Sequence, residues 1–306
     1  MKDIITNIEK LEIQTINNLK NSKSENTVRA YESDFKDFSL FCIKNNLQSM
    51  PTEPKTVSIY LTHLSKNYKY STLKRRVASI KVVHKLKGHY IDSKHPIIIE
   101  NLLGIKRING SYQKAKKPLL FNSLKLIIKA INEYEKIEYK RIRNISLLLL
   151  GFAGGFRRSE LVKINYEDLD FVNEGLKIFI RKSKTDQSGE GLIKAIPYFE
   201  SKEYCPVTKL NDWISYSNIS SGKIFAISDK SVSLIIKKYA FIANLDPKKY
   251  GGHSLRSGFA TSAAESGVEE RHIMAMTGHR TTQMVRRYIL EANLFKNNAL
   301  NKIKFE

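Results

Sequence analysis

From Ile145 to Phe156 the chain reads Ile-Ser-Leu-Leu-Leu-Leu-Gly-Phe-Ala-Gly-Gly-Phe, twelve residues without a charge, and Arg157 follows at once. A stretch that is apolar all round offers no face to water, so Ile145 to Leu150 predicts the central buried helix of a globular domain. It falls short of the roughly 20 residues needed to span a bilayer. Glycines at 151, 154 and 155 end the run. Arg157 is therefore seated directly on the core, as a preorganised functional group must be. Glu160, three residues on, either caps the helix that follows or orients a catalytic partner.

Downstream stand Gly252-His253-Ser254-Leu255-Arg256, then Gly278-His279, then Tyr288. Imidazoles, guanidinium groups and a phenol are what a protein needs to break and reseal a phosphodiester without a metal. Arginine is a permanent cation whose planar fork matches two phosphoryl oxygens. A tyrosine hydroxyl is a competent nucleophile where neighbours remove its proton and stabilise the developing charge. His253 and Arg256 are three apart, which puts them on one face of a helix. Between Arg157 and this group lies a polar stretch, Lys182-Ser183-Lys184-Thr185-Asp186-Gln187.

This order resembles the tyrosine recombinases, or phage integrases, of the Xer-like type: Arg157 in Gly-Phe-Arg-x-Ser-Glu-Leu, Lys184 in Ser-Lys-Thr-Asp, His253-x-x-Arg256, Gly278-His279, and Tyr288 nine residues after that histidine. The likeness runs from about residue 24 to 290. It implies that Tyr288 attacks the scissile phosphate to give a 3′-phosphotyrosyl link and a free 5′-hydroxyl. Arg157 and Arg256 clamp the non-bridging oxygens, Lys184 protonates the leaving oxygen, His253 assists at the tyrosine and His279 donates a hydrogen bond to the phosphate. Lys182 rivals Lys184, and the choice rests on the Ser-Lys-Thr match. The resemblance implies no metal and no ATP, so no cofactor is expected. It also implies double-stranded DNA as partner and a homotetramer on paired sites, monomeric or weakly dimeric off DNA. Two positions depart from the pattern: Ser257 stands where many relatives have His, and Thr277 where Leu is frequent. Neither is expected to supply chemistry.

The alternatives are a type IB topoisomerase-like enzyme that relaxes DNA without strand exchange, and a non-catalytic DNA-binding relative. The second would be expected to have lost one of the six candidate residues, and none is lost. A net charge of +22 points to a polyanionic partner. Cys42 and Cys205 lack any CxxC context and read as buried free thiols of a reducing cytosol. No His has metal-ligand spacing, and Met1 to Asn18 has no signal-peptide core, so a cytoplasmic, nucleoid-associated protein with no membrane partner is expected.

The expected fold is mainly α with a small β-hairpin or sheet: an N-terminal helical, SAM-like core-binding domain (1–109), a basic linker (110–118), a mixed α/β catalytic domain (119–290) and a tail (291–306). Ser24 or Asn26 caps a helix through Phe35, Phe38 and Phe41. Thr52 starts a second and Ser71 caps a third, with the apolar stripe Leu73, Val77, Ile80 and His84. The other faces of that third helix carry Lys74, Arg75, Arg76, Lys81 and Lys85 with no acid between them, which predicts phosphate contact. A fourth helix runs from Pro96 to about Lys106. Lys114, Lys116 and Lys117 of the linker are further candidates for the DNA backbone. Asn122 or Ser123 caps the first helix of the catalytic domain. Residues 176–182 and 191–198 alternate as two strands of a hairpin, and a helix through Trp213 and another over 231–240 follow. In the tail, Leu294, Phe295, Ala299, Leu300 and Ile303 lie roughly on one helical stripe that needs a surface to cover, in cis or on a neighbouring protomer.

Overall fold

Phe35, Phe38 and Phe41 recur at a step that gathers side chains on one helical face. They lie on α1 (Glu25–Lys44), where the Ser24 hydroxyl accepts the Thr27 amide as an N-cap. The computed structural model describes residues 10–11, 14, 18, 22–110, 116–181, 191–279, 281–293, 295 and 299–303. The chain divides into two units, Met1–Lys114 and Ala115–Glu306, each with its own core.

In the first unit α1 is joined by α2 (Pro54–Ser65), α3 (Tyr70–Leu86) and α4 (Pro96–Asn109). Phe38, Tyr60, Leu61, Leu73, Ile80 and Ile98 are buried between them. His84 completes the α3 stripe at full burial. Its Nδ1 donates to the Ile80 carbonyl at 2.8 Å and its Nε2 accepts the Thr52 amide at 3.1 Å, while burial holds its pKa below the usual histidine value.

The second unit opens with α5 (Phe121–Tyr134) and α6 (Glu138–Ala153), which is buried from Asn144 to Ala153 as the apolar run predicts. The short α7 (Arg158–Leu161) leads to an antiparallel sheet of β1 (Leu169–Val172), β2 (Gly175–Ile180) and β3 (Leu192–Pro197), in the order β1-β2-β3. Leu169 pairs with Ile178 and Ile178 with Lys194. Leu176, Ile178 and Ile180 of β2 and Lys194 and Ile196 of β3 face inward. Strand β1 is an addition to the two expected strands; it is too short and too little buried at its centre to alternate legibly. Then come α8 (Pro206–Ser217), α9 (Asp229–Ile242), α10 (Ser254–Glu265), α11 (Glu270–Thr277) and α12 (Thr282–Asn293). The Trp213 indole, buried on α8, donates to the Ile224 carbonyl at 2.9 Å. A smaller cluster of Ala260, Ala264, Ile273 and Val285 joins α10, α11 and α12.

Three helix starts differ from expectation. α2 follows Glu53, and the Thr52 hydroxyl donates instead to the Gln48 carbonyl at 2.9 Å. α3 follows Lys69, with Ser71 inside its first turn, and α5 follows Leu120, with Asn122 and Ser123 inside. None of the three has a side-chain cap. Burial of the apolar stripe, the dominant source of helix stability in proteins, sets where they begin. Cys42 and Cys205 are both buried and free. No helix among the described residues is long and apolar enough to cross a membrane.

Candidate active site

α6 ends at Ala153, and Gly155 turns the chain at φ +54. A Cβ there would meet the side chains of Phe259 at 3.0 Å and Thr277 at 3.2 Å, so both the space and the backbone favour glycine. The turn delivers Arg157 to the start of α7. Glu160 then acts on it twice: one carboxylate oxygen accepts the Arg157 amide at 2.9 Å, the other accepts the guanidinium at 2.5 Å. The two roles left open by the sequence are one arrangement, since the same side chain caps α7 and orients the arginine. A second guanidinium nitrogen of Arg157 reaches the Gly278 carbonyl at 3.4 Å.

Arg256 lies in the first turn of α10 and is 1% exposed. Its Nη1 donates to the Gly155 carbonyl at 3.1 Å. Its Nε and Nη2 are buried without a partner among the described residues. Buried donors left unmade cost free energy, so such a pair marks a place built for an acceptor that arrives later. Burial foremost, then the charge of Arg157, lowers its pKa to about 10 against the opposing pull of Glu160 and Tyr288. His253 precedes α10 and is exposed; its carbonyl accepts the amide and hydroxyl of Ser257 at 3.0 and 3.1 Å. Ser257 thus serves the helix, consistent with its having no chemical role.

Gly278, at φ +62, ends α11 in the left-handed region and turns His279 inward. The His279 Nδ1 is 2.7 Å from the Thr277 hydroxyl, which itself donates to the Ile273 carbonyl at 2.6 Å. With the hydroxyl proton engaged there, Nδ1 must be the donor, and Nε2 is left for the site. Thr277, where the sequence suggested no role, therefore sets the ring's tautomer. Burial first, then Arg256, Arg157, His253 and Lys194, brings the His279 pKa down to about 4. Tyr288 lies half-buried on α12, packed against the small cluster, with its ring centroid 6.0 Å from that of His279. Arg157, Arg256, His279 and Tyr288 thus converge, and His253 is close enough for its charge to act on His279.

Lys194 was missed by sequence reasoning. It is 2% exposed on β3, with Nζ in contact with this site. The available signal was a lysine two residues from Ile196, on the face that strand alternation turns inward. Lys182, Lys184 and Lys114 lie outside the described residues.

Lys74, Lys81 and Lys85 are exposed on α3, as a phosphate-contacting face requires. Arg76 differs from that expectation, whereas Arg75 stays exposed while pairing with an acid of α1, Asp34. Arg76, 6% exposed, binds Asp34, Asp37 and the Tyr60 hydroxyl. The acids absent from α3 come from α1, and they engage Arg76 in the fold. The Lys116 Nζ donates to the Lys248 carbonyl at 2.5 Å, and the Lys117 amide to the Lys249 carbonyl at 2.7 Å, with both side chains exposed.

Residues 118–293 match the model of the phage integrase family, and residues 16–88 match the phage integrase N-terminal SAM-like domain. The chain is 40% identical to an integrase/recombinase xerD homolog of Selenomonas ruminantium, covering 98% of this chain and 91% of that one. The chain belongs to the phage integrase family. It is a tyrosine-type site-specific recombinase, an enzyme of DNA recombination. Its fold is also that of the XerH recombinase in a post-cleavage complex with a palindromic difH substrate (TM-score 0.65, 16% identity, 83% of this chain and 73% of that one). The integrase of lambda, residues 75–356, solved as a dimer bound to a COC′ core site, gives a TM-score of 0.60 at 16% identity over 97% and 98% of the two chains. The topoisomerase-like alternative finds no support in these comparisons.

Proposed function

We propose that Tyr288 is the nucleophile of this recombinase and that Arg157, Arg256, Lys184, His253 and His279 act with it on one phosphodiester. The Tyr288 oxygen bonds to phosphorus, the bond to the 5′-oxygen breaks, and Lys184 gives that oxygen its proton. His253 assists removal of the phenolic proton, and His279, protonated on Nε2 as well once the phosphate charge lies beside it, donates a hydrogen bond to the phosphate. Attack by a 5′-hydroxyl from the second duplex on the phosphotyrosine reverses the step. The ester bond is kept throughout, so neither ATP nor a metal is called for. Arg157 and Arg256 stabilise the added charge of the phosphorane, the term that dominates such catalysis. The observation that carries the reading is the buried guanidinium of Arg256, which leaves two donors open for phosphate oxygens.

Exposed Lys74, Lys81 and Lys85 on α3, with Lys116 and Lys117, supply contacts to double-stranded DNA. Lys114 is a further candidate by sequence. Domain limits at 1–109, 119–290 and 291–306, with 110–118 as linker, suit a core-binding part, a catalytic part and a docking tail. Phe295, Leu300 and Ile303 are 86%, 57% and 53% exposed, which favours a tail that docks on a neighbouring protomer of a tetramer assembled on paired sites. The working place of such an enzyme is the cytoplasm, on the nucleoid. The test is Tyr288→Phe on a suicide substrate nicked near the scissile bond. Wild type is trapped as a denaturant-resistant covalent complex, whereas the Phe variant binds DNA equally and is not trapped. Equal trapping of both assigns the nucleophile elsewhere.

A further inference from the structure

The Lys194 ammonium sits where the carboxyl ends of two helices converge. Its Nζ donates to the carbonyl of Gly154, the residue capping α6, at 2.6 Å, and to the carbonyl of Met276, in the last turn of α11, at 2.5 Å. Carbonyls at a helix end lack intrahelical partners and carry partial negative charge, so one cation with three donors satisfies both. The same nitrogen lies 4.4 Å from the ring centroid of Phe156. Gly154 and Phe156 flank the turn into Arg157, and Met276 is three residues before His279. Lys194 lies on β3, ten residues after Lys184 in the chain.

We propose that Lys194 is a positioning residue for DNA cleavage: its ammonium, held on β3, ties the Arg157 turn to the His279 turn and so keeps the two in register. This rests on the roles proposed above for Arg157 and His279. A purely structural demand at this place is met by an apolar side chain, as Ile196 meets it two residues on, because a buried charge costs desolvation. The neighbouring charges make that cost larger: Arg157 and Arg256 have the same sign, His279 beside them is held neutral, and among the described residues Glu160 alone opposes. A lysine at such a place trades stability for geometry at the reacting phosphate. Both of its short contacts go to protein carbonyls, so it acts through the turns it holds and not as a second proton donor. Burial, offset by Glu160 and reinforced by Arg256 and Arg157, brings its pKa down to about 7. A neutral amine keeps hydrogens to donate but loses the charge that binds it to two helix ends, so the tie loosens as pH rises.

The experiment compares wild type with Lys194→Met, and with Lys194→Gln as an uncharged donor in case the Met variant fails to fold. Melting temperature, half-site binding and the rate of trapping on the nicked substrate are read from about pH 6 to about pH 9, a window that brackets the lysine's lowered pKa. The variants are expected to melt no lower than wild type and to bind half-sites equally. Trapping is expected to slow by roughly 100-fold, the cost of displacing reacting groups by about an ångström. Wild-type trapping at saturating DNA should decline as pH rises through about 7, a decline absent from both variants. Trapping at the wild-type rate overturns the proposal, as does an activity loss no larger than the loss of folded protein, or a wild-type pH profile in either variant. Failure of wild type itself to be trapped overturns the assignment of the site, and the proposal built on it falls with it.

Discussion

Replacing Glu160 by alanine removes the carboxylate that faces Arg157, Arg256 and Lys194, and the structure allows the consequence to be sized. The Glu160 side chain is 5% exposed and that of Arg157 14%, so water screens their contact little. The bond to the Arg157 amide is an N-terminal cap, worth about 1 kcal/mol. The bond to the guanidinium is charge-assisted, worth about 1.5–3 kcal/mol. Three neighbouring cations then lose their counter-charge, which places the whole loss near 3–5 kcal/mol, the range for breaking a buried pair by removing one partner. For a unit of this size each kcal/mol moves the melting temperature by about 2–4 °C, so a fall of roughly 6–20 °C is expected. Glu160→Gln keeps an acceptor for the amide and should lose about half as much, since its charge alone is gone. Thermal and urea denaturation of the two variants and of Arg157→Met measure these losses. The double variant Glu160→Ala, Arg157→Met should lose less than the sum of the single losses by about 1–3 kcal/mol, because the partners are in direct contact. A Glu160→Ala protein that melts within about 1 kcal/mol of wild type, or additive losses in the double variant, would refute the reasoning.

Arg76→Ala, which strips the buried Asp34 of one of its two cations, should destabilise the N-terminal unit by about 3–5 kcal/mol. Lys81→Ala should leave melting unchanged while lowering the salt slope of DNA binding by about one unit; calorimetry and salt-dependent binding that return the opposite pattern exchange the two roles. Both His279 and His84 are held below the ordinary histidine pKa, so below about pH 6.5 the unfolded chain binds protons that the folded chain does not. Stability from these groups is therefore complete above that pH and is lost as pH falls toward 4. His279→Gln should flatten urea midpoints over that interval, and an unchanged slope contradicts the burial argument. Deleting residues 294–306 should spare half-site binding in a mobility assay and abolish the paired-site complex; truncated protein that still pairs sites and exchanges strands removes the tail from assembly.

Much of the site was legible in sequence because its spacing follows from local geometry. His253 and Arg256 share a helical turn, Gly278 precedes His279 because a left-handed helix end favours glycine, and Arg157 follows the apolar run because that run is the buried α6. The basic face of α3 was equally legible, down to Lys74, Lys81 and Lys85. Periodicity reports which face of an element is buried, and these features lie within single elements. Contacts between elements leave no such trace. Arg76 reads like its basic neighbours, yet Asp34 and Asp37 from α1 engage it in the fold, across 42 and 39 residues of chain. Thr277 reads as a departure from pattern, and only the proximity of its hydroxyl to the His279 ring makes it the group that sets a tautomer. Lys194 reads as a surface lysine on a strand until Gly154 and Met276, 40 and 82 residues away, bring their carbonyls to it. By itself the sequence determined the helices, the order of the chemical groups and the family they belong to. The tertiary structure decided which charges are spent inside the protein and which remain open to DNA, because burial and pairing depend on neighbours that no local period specifies.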